Sequence, residues 1–223
     1  QGGGWYLHHF AISRPDKTTS KTRIEFDASA RYAGSCLNDH IHKGPKLQRD
    51  LNEVLLRFRK SPIAIMCDVA EMYLQIELAP EDRSYHRFLW RNSESREPDE
   101  YEFNRLVFGI NSCPFQAQLI TRFHAEKYKT KFPQAADSIL HSTYMDDTMD
   151  STLDVQSAIS LYHQLSELWT TAGMHARKWI SNSSEVLQVI PKCDRLTEID
   201  LTSNQLPSIK TLGILWKADE DSF

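Results

Sequence analysis

At 223 residues, with 40% hydrophobic and 25% charged residues and a formal charge of -4, the chain has the composition of one large or two small globular domains with enough apolar residues for a core. No run reaches the roughly 18 apolar residues of a membrane-spanning helix, and no secretory-type segment is read at its start. Cys36, Cys67, Cys113 and Cys193 lack C-x-x-C spacing and read as reduced thiols of an intracellular protein, not as a disulfide framework.

Within the acidic average, Lys43, Lys46, Arg49, Arg57, Arg59 and Lys60 cluster, as do Arg122, Lys127, Lys129 and Lys131. Such groups suit a nucleic-acid channel or simply solvated helix faces. The chain opens on Gln and is read as an internal piece of a longer polypeptide.

Residues 1–45 are rich in Gly, Ser, Thr and Pro, with one strand-like run at Thr22–Phe26. From Pro45 to Lys60, Leu47, Leu51, Val54, Leu55 and Phe58 recur at helical spacing, and Ser61-Pro62 ends that helix. Ile63–Val69 is a short apolar run, the pattern of a buried strand, with Asp68 at its end. A strand pair is expected at His86–Arg91 and Tyr101–Phe108, and a helix from Pro114 through Phe123. Ile139–Asp150 reads as a hairpin whose turn carries paired aspartates. Val155–Ala172 reads as a helix with Val155, Ile159, Tyr162, Leu165 and Trp169 on one face, stopped by Gly173. A final strand is expected at Thr211–Trp216. This order suits an α+β fold, an antiparallel sheet with helices on one face.

A strand-end Asp68 and the adjacent Asp146 and Asp147 are the residue types that two-metal phosphoryl transfer needs. Hard divalent cations prefer oxygen ligands, and two such ions can flank an in-line displacement. An Asp-Asp pair alone is ordinary in exposed turns, so the second carboxylate on its own strand matters. His8, His9, Cys36, His40 and His42 lack compact zinc-ligand spacing, and Cys67 and Cys113 read as small buried thiols.

Asp68-Val69-Ala70-Glu71-Met72-Tyr73-Leu74-Gln75-Ile76, followed some seventy residues later by Tyr144-Met145-Asp146-Asp147, resembles motifs A and C of reverse transcriptases. Lys21–Ser29 and Leu37-Asn38-Asp39 resemble the fingers motifs. Phe108–Phe115 resembles motif B, Ala172–Trp179 motif D, and Leu212–Trp216 motif E. The wording is nearest the BEL/Pao class of LTR retrotransposons, including Leu55–Arg59 and Arg87–Trp90.

The resemblance implies a right-hand polymerase with fingers and a palm built on a ferredoxin-like antiparallel sheet. It divides the chain into fingers (1–62), palm with motif A (63–85), a fingers–palm hairpin (86–107), palm with motifs B, C and D (108–210), and a palm–thumb junction with a truncated thumb (211–223). It implies RNA-directed DNA synthesis with two Mg²⁺ ions, or Mn²⁺, held by Asp68, Asp146, the Val69 carbonyl and, more peripherally, Asp147. Tyr73 matches the steric gate against ribonucleotides, and Gln75 neighbours the incoming nucleotide. Arg23 matches the triphosphate arginine, with Lys17 or Lys21 assisting. Phe108 and Gly109 match the motif B approach to nucleotide and template. Lys178 is the implied proton donor to pyrophosphate, with Arg177 an alternative, while Tyr144, Met145 and Gly213 match primer and template positions. Glu25 departs from the apolar residue usual in relatives.

Implied partners are an RNA or DNA template with primer, deoxynucleotides, and the protease, RNase H and integrase regions of a retroelement polyprotein, with no membrane. The implied location is cytoplasmic, in retroelement particles. A co-opted or inactive fragment that binds nucleic acid without polymerising is the competing expectation.

Overall fold

A computed structural model describes residues 3–13, 22–196 and 208–222. Its strands are β1 (His8–Ser13), β2 (Thr22–Asp27), β3 (Ile63–Val69), β4 (Arg87–Trp90), β5 (Asp99–Glu102), β6 (Thr143–Tyr144), β7 (Asp147–Thr152), β8 (Ala176–Ser181), β9 (Ser208–Thr211) and β10 (Ile214–Lys217). Its α-helices are α1 (Leu51–Phe58), α2 (Cys113–Tyr128), α3 (Pro133–His141), α4 (Val155–Thr171) and α5 (Ser184–Val189). The sheets are antiparallel, and the architecture is mixed helix and strand. The chain falls into two units, Gln1–Lys46 with Glu71–Ala117, and Leu47–Ala70 with Gln118–Phe223. This is a different division from the motif-based boundaries at 62, 85, 107 and 210.

In the first unit β1 pairs with β2, His8 opposite Asp27 and Ile12 opposite Arg23. The sequence reading found β2 and missed β1, whose residues are nearly all exposed and so carry no apolar alternation. Aromatic rings hold this unit together. Phe26 meets Phe88 and Phe103 edge-on at 5.2 and 4.8 Å, the geometry that the ring quadrupole favours. β4 and β5 are shorter than expected: the Phe103 amide still donates across the ribbon to the His86 carbonyl, but the Leu106 amide turns to that of Ile76.

The second unit is built on a four-stranded sheet in the order β6-β7-β3-β8. The Ile63–Val69 strand forms as read, with Met66 opposite Met149. α1 starts at Leu51, not near Pro45, since the Asp50 carboxylate caps it by accepting from the Asn52 amide at 2.8 Å. The expected hairpin from Ile139 is corrected. Ile139 lies in α3, which begins on Pro133, and the hairpin starts only at Thr143. α4 forms as read with Asp154 as its cap, and Tyr162, Leu165 and Trp169 are buried, joined by Ala158, Leu161 and Leu168. The single expected strand Thr211–Trp216 is instead the hairpin β9–β10. Leu212 and Gly213 turn it, at φ 48° and 84°, the two positive values of a tight twisted turn.

The core beneath this sheet gathers Val54 and Phe58 from α1, Met66 from β3, Met149 from β7, Ile180 from β8 and Trp216 from β10. Phe58 and Trp216 meet edge-to-face at 4.8 Å, and the Trp216 Nε1–H donates to Asp221 Oδ1 at 3.0 Å. Emptying the Phe58 site is expected to cost about 3–5 kcal/mol of unfolding free energy in urea titration of Phe58→Ala. A loss under about 1 kcal/mol contradicts this packing.

Candidate active site

The antiparallel register of β3 and β7 sets Asp68 directly opposite Asp147. Directly paired residues on neighbouring antiparallel strands face the same side of the sheet, about 4.5–5.5 Å apart at Cβ. Two like charges there repel, unless a cation lies between them or a proton stays on. Asp146 sits one residue back, in the two-residue turn joining β6 to β7, and its carbonyl accepts from the Val69 amide at 2.9 Å. That bond ties the turn to the end of β3.

The turn is strained. Met145 has φ 58°, where a residue with a Cβ is disfavoured and glycine is usual. A side chain the sequence reading left without a role helps hold it: Gln118 Nε2 donates to the Met145 carbonyl at 3.2 Å. Tyr144 packs against the sheet's core cluster.

Burial raises the Asp147 carboxyl to about 7, and the neighbouring charges of Asp146 and Asp68 add to the rise. Asp146 is raised as well, mainly by burial, with Asp68 contributing. Opposing cations come from β8. Lys178 Nζ is 2.8 Å from Asp68 Oδ2, and Arg177 Nε is 3.4 Å from Oδ1.

Among the described residues no three His, Cys, Asp or Glu side chains converge tightly enough to hold a metal unaided. Mg²⁺ commonly binds through one or two carboxylates and completes its shell with water and substrate phosphates. The all-oxygen donor set and the close approach of Asp68 and Asp147 fit that kind of ion.

The first unit carries the other residues singled out by sequence. Tyr73 is buried in a short 3-10 turn, Met72–Gln75, with its ring 4.4 Å from that of Phe108. The Arg23 guanidinium lies 5.2 Å over the Phe108 ring, and its Nε pairs with Glu25 at 2.5 Å. Glu25, the departure noted in sequence, is thus Arg23's counterion. Gln75 offers its backbone carbonyl to Arg105 at 3.2 Å.

Gly109 has φ 102°, and a Cβ there would stand 2.0 Å from the Phe26 carbonyl oxygen. The backbone it approaches is therefore β2 of its own unit. Asn38 holds the same loop, donating to the Gly109 carbonyl at 3.1 Å and accepting from the Asn111 amide at 2.9 Å. Gly213 lies in the β9–β10 turn with open space around it. Lys17 and Lys21 lie outside the described residues.

Part of the first basic group serves the fold. Arg57 pairs with Asp137 and Arg59 with Asp221. Cys67 and Cys113 are buried as expected, and burial pushes both thiols up, Cys113 to about 11. No described helix is long and apolar enough to cross a membrane.

No protein-family model matches the chain, and no curated protein does. Among solved structures it is similar to the protease-reverse transcriptase of prototype foamy virus, a selenomethionine-labelled mutant. The TM-score is 0.59 at 14% identity, over 79% of this chain and 21% of that one. At that identity the likeness shows a shared fold alone, and this chain spans about a fifth of that protein's length.

The raised Asp147 pKa has a pH signature. The folded state holds the Asp147 proton more tightly than the unfolded chain does, where the carboxyl titrates near the ordinary 3.8. Stability from this group is therefore complete below about pH 4 and lost as pH rises to about 7. Thermal midpoints of the parent should fall relative to Asp147→Asn across that interval. Parallel pH profiles for the two proteins contradict the shift.

Proposed function

We propose that the chain is the polymerase core of a reverse transcriptase, adding deoxynucleotides to a primer 3′-hydroxyl on an RNA or DNA template. The motif wording favours an LTR retrotransposon of the BEL/Pao class. The observation that carries the reading is the register of β3 on β7, which opposes Asp68 and Asp147 and leaves Asp146 in the adjoining turn. The similarity in fold to a protease-reverse transcriptase supports it.

In this reading Asp68 and Asp146, with the Val69 carbonyl and Asp147, hold two Mg²⁺ or Mn²⁺ ions. Once bound, these supply the positive charge that stabilises the attacking and leaving oxygens. Asp68 and Asp146 orient that charge from neighbouring rigid backbone segments, so the geometry needs little rearrangement during reaction. Tyr73, backed by Phe108, closes the space a ribose 2′-hydroxyl would need. Arg23 gives the triphosphate a planar, multiply donating cation, assisted by Lys17 or Lys21. Gln75 and Gly109 line the nucleotide, and Tyr144, Met145 and Gly213 contact primer and template. Lys178 passes a proton to the leaving pyrophosphate. The remainder of the element's polyprotein, with protease, RNase H and integrase regions, is the proposed context, and the cytoplasmic particle the proposed location.

One observation favours a second reading, a co-opted fragment that binds nucleic acid without polymerising: Arg23 and Lys178 already have carboxylate partners, Glu25 and Asp68. Primer extension with Mg²⁺ separates the two. The polymerase reading expects template-dependent incorporation of deoxynucleotides, reduced roughly 100-fold or more in Asp146→Asn. It also expects ribonucleotide incorporation to rise in Tyr73→Val. Equal extension by parent and Asp146→Asn would sink the site assignment. Retained template binding with no extension selects the second reading.

A further inference from the structure

The cations at Asp68 arrive there by an irregularity in β8. Met66 of β3 pairs with Ile180, and Asp68 pairs with Arg177. Cys67 alone therefore faces two residues, Lys178 and Trp179, which makes a bulge with one extra residue on β8. Lys178 sits in it at φ 53°, a conformation a lysine adopts only when its surroundings impose it.

Neighbours along a regular strand point to opposite faces, so Arg177 and Lys178 could not both reach one carboxylate. With the bulge they do. Arg177 Nε is 3.4 Å from Oδ1 and Lys178 Nζ is 2.8 Å from Oδ2. Among the described residues, these are the ion pairs made by the three carboxylates. The two cations are not equivalent. Arg177 presents a rigid fork, whereas Lys178 is a compact charge on a flexible stem, half exposed and free to swing away.

We propose that the β8 bulge makes Arg177 and Lys178 a built-in counterion for Asp68, one that a divalent cation must displace, so that the Lys178 amine is released only when metal is bound. The inference rests on the reading of Asp68 as a metal ligand under Proposed function. Lys178 thereby ties the availability of its own amine to the loading of the site. A partly exposed ion pair holds weakly enough for a divalent ion to break it, and strongly enough to lower that ion's affinity measurably.

Two measurements on the full chain test this. The first is Mn²⁺ titration followed by the electron paramagnetic resonance of the free ion. Lys178→Gln is expected to bind Mn²⁺ roughly two- to fivefold more tightly than the parent, and Arg177→Gln to shift the same way. Lys178→Arg should restore the parental value. The second is acylation of the parent's lysines by acetic anhydride, read by mass spectrometry. Lys178 should be modified slowly in metal-free buffer and several-fold faster with saturating Mg²⁺, while Lys127 and Lys129 keep their rates.

Unchanged or weaker Mn²⁺ binding by Lys178→Gln, or metal-independent labelling of Lys178, overturns the inference. Asp68→Asn separates the two levels. If it binds Mn²⁺ as tightly as the parent, the ligand reading itself fails. If it loses binding while Lys178→Gln gains nothing, only the counterion device fails.

Discussion

The pairing of β3 with β7 is the constraint on which the rest of the second unit depends. The strands meet through buried side chains: Ala64, Ile65, Met66 and Cys67 are buried together with Thr148 and Met149. A slip by one residue would turn the side chains of one strand over relative to the other. The same register sets Asp68 opposite Asp147. The apolar packing of the strand thus enforces an arrangement of charges that the carboxylates alone would resist.

That resistance is visible in the surroundings. Asp147 holds its proton far above the ordinary carboxylate range, Asp68 takes two cations from β8, and the turn carrying Asp146 accepts a left-handed methionine. Burial does most to hold the Asp147 proton and the neighbouring charges add to it, the cations answer the charge of Asp68, and the methionine conformation belongs to the two-residue turn. Met145 and Lys178 are two of the described non-glycine residues at positive φ, and functional sites often depart from local preference in this way.

The parts of the fold with a clean period were legible in the sequence. β3 is a continuous apolar run, and α4 has a capping Asp154, a buried stripe and a terminal glycine at φ 70°. Elements without a period were not. β1 is exposed on nearly every residue, and β8 mixes cations with Trp179 and Ile180 around a bulge that breaks alternation. α3 was hidden because Ile139 and Leu140 read equally well as the start of a strand. At the site, the aspartates stood out because carboxylates ending an apolar strand are unusual. Glu25 stood out as a charged residue in an unexpected place, while its pairing with Arg23 did not. Gln118 and Asn38 did not: each works by bonding backbone distant in sequence, and nothing local marks an amide for that task.

Gly109 has a consequence for tracing the history of such chains. Its hydrogen faces the Phe26 carbonyl oxygen, where a methyl group would collide. The demand for glycine here comes from the chain folding on itself, and it holds whether or not a nucleotide is ever bound. A copy that had lost its chemistry but still folded would keep this glycine for as long as it kept β2 in place. Gly109 is therefore a marker of folding and a poor witness to activity. Loss of the chemistry proposed for this site would register first at Asp146 and Asp147, where burial and like charge make loss of a carboxylate favourable to the fold.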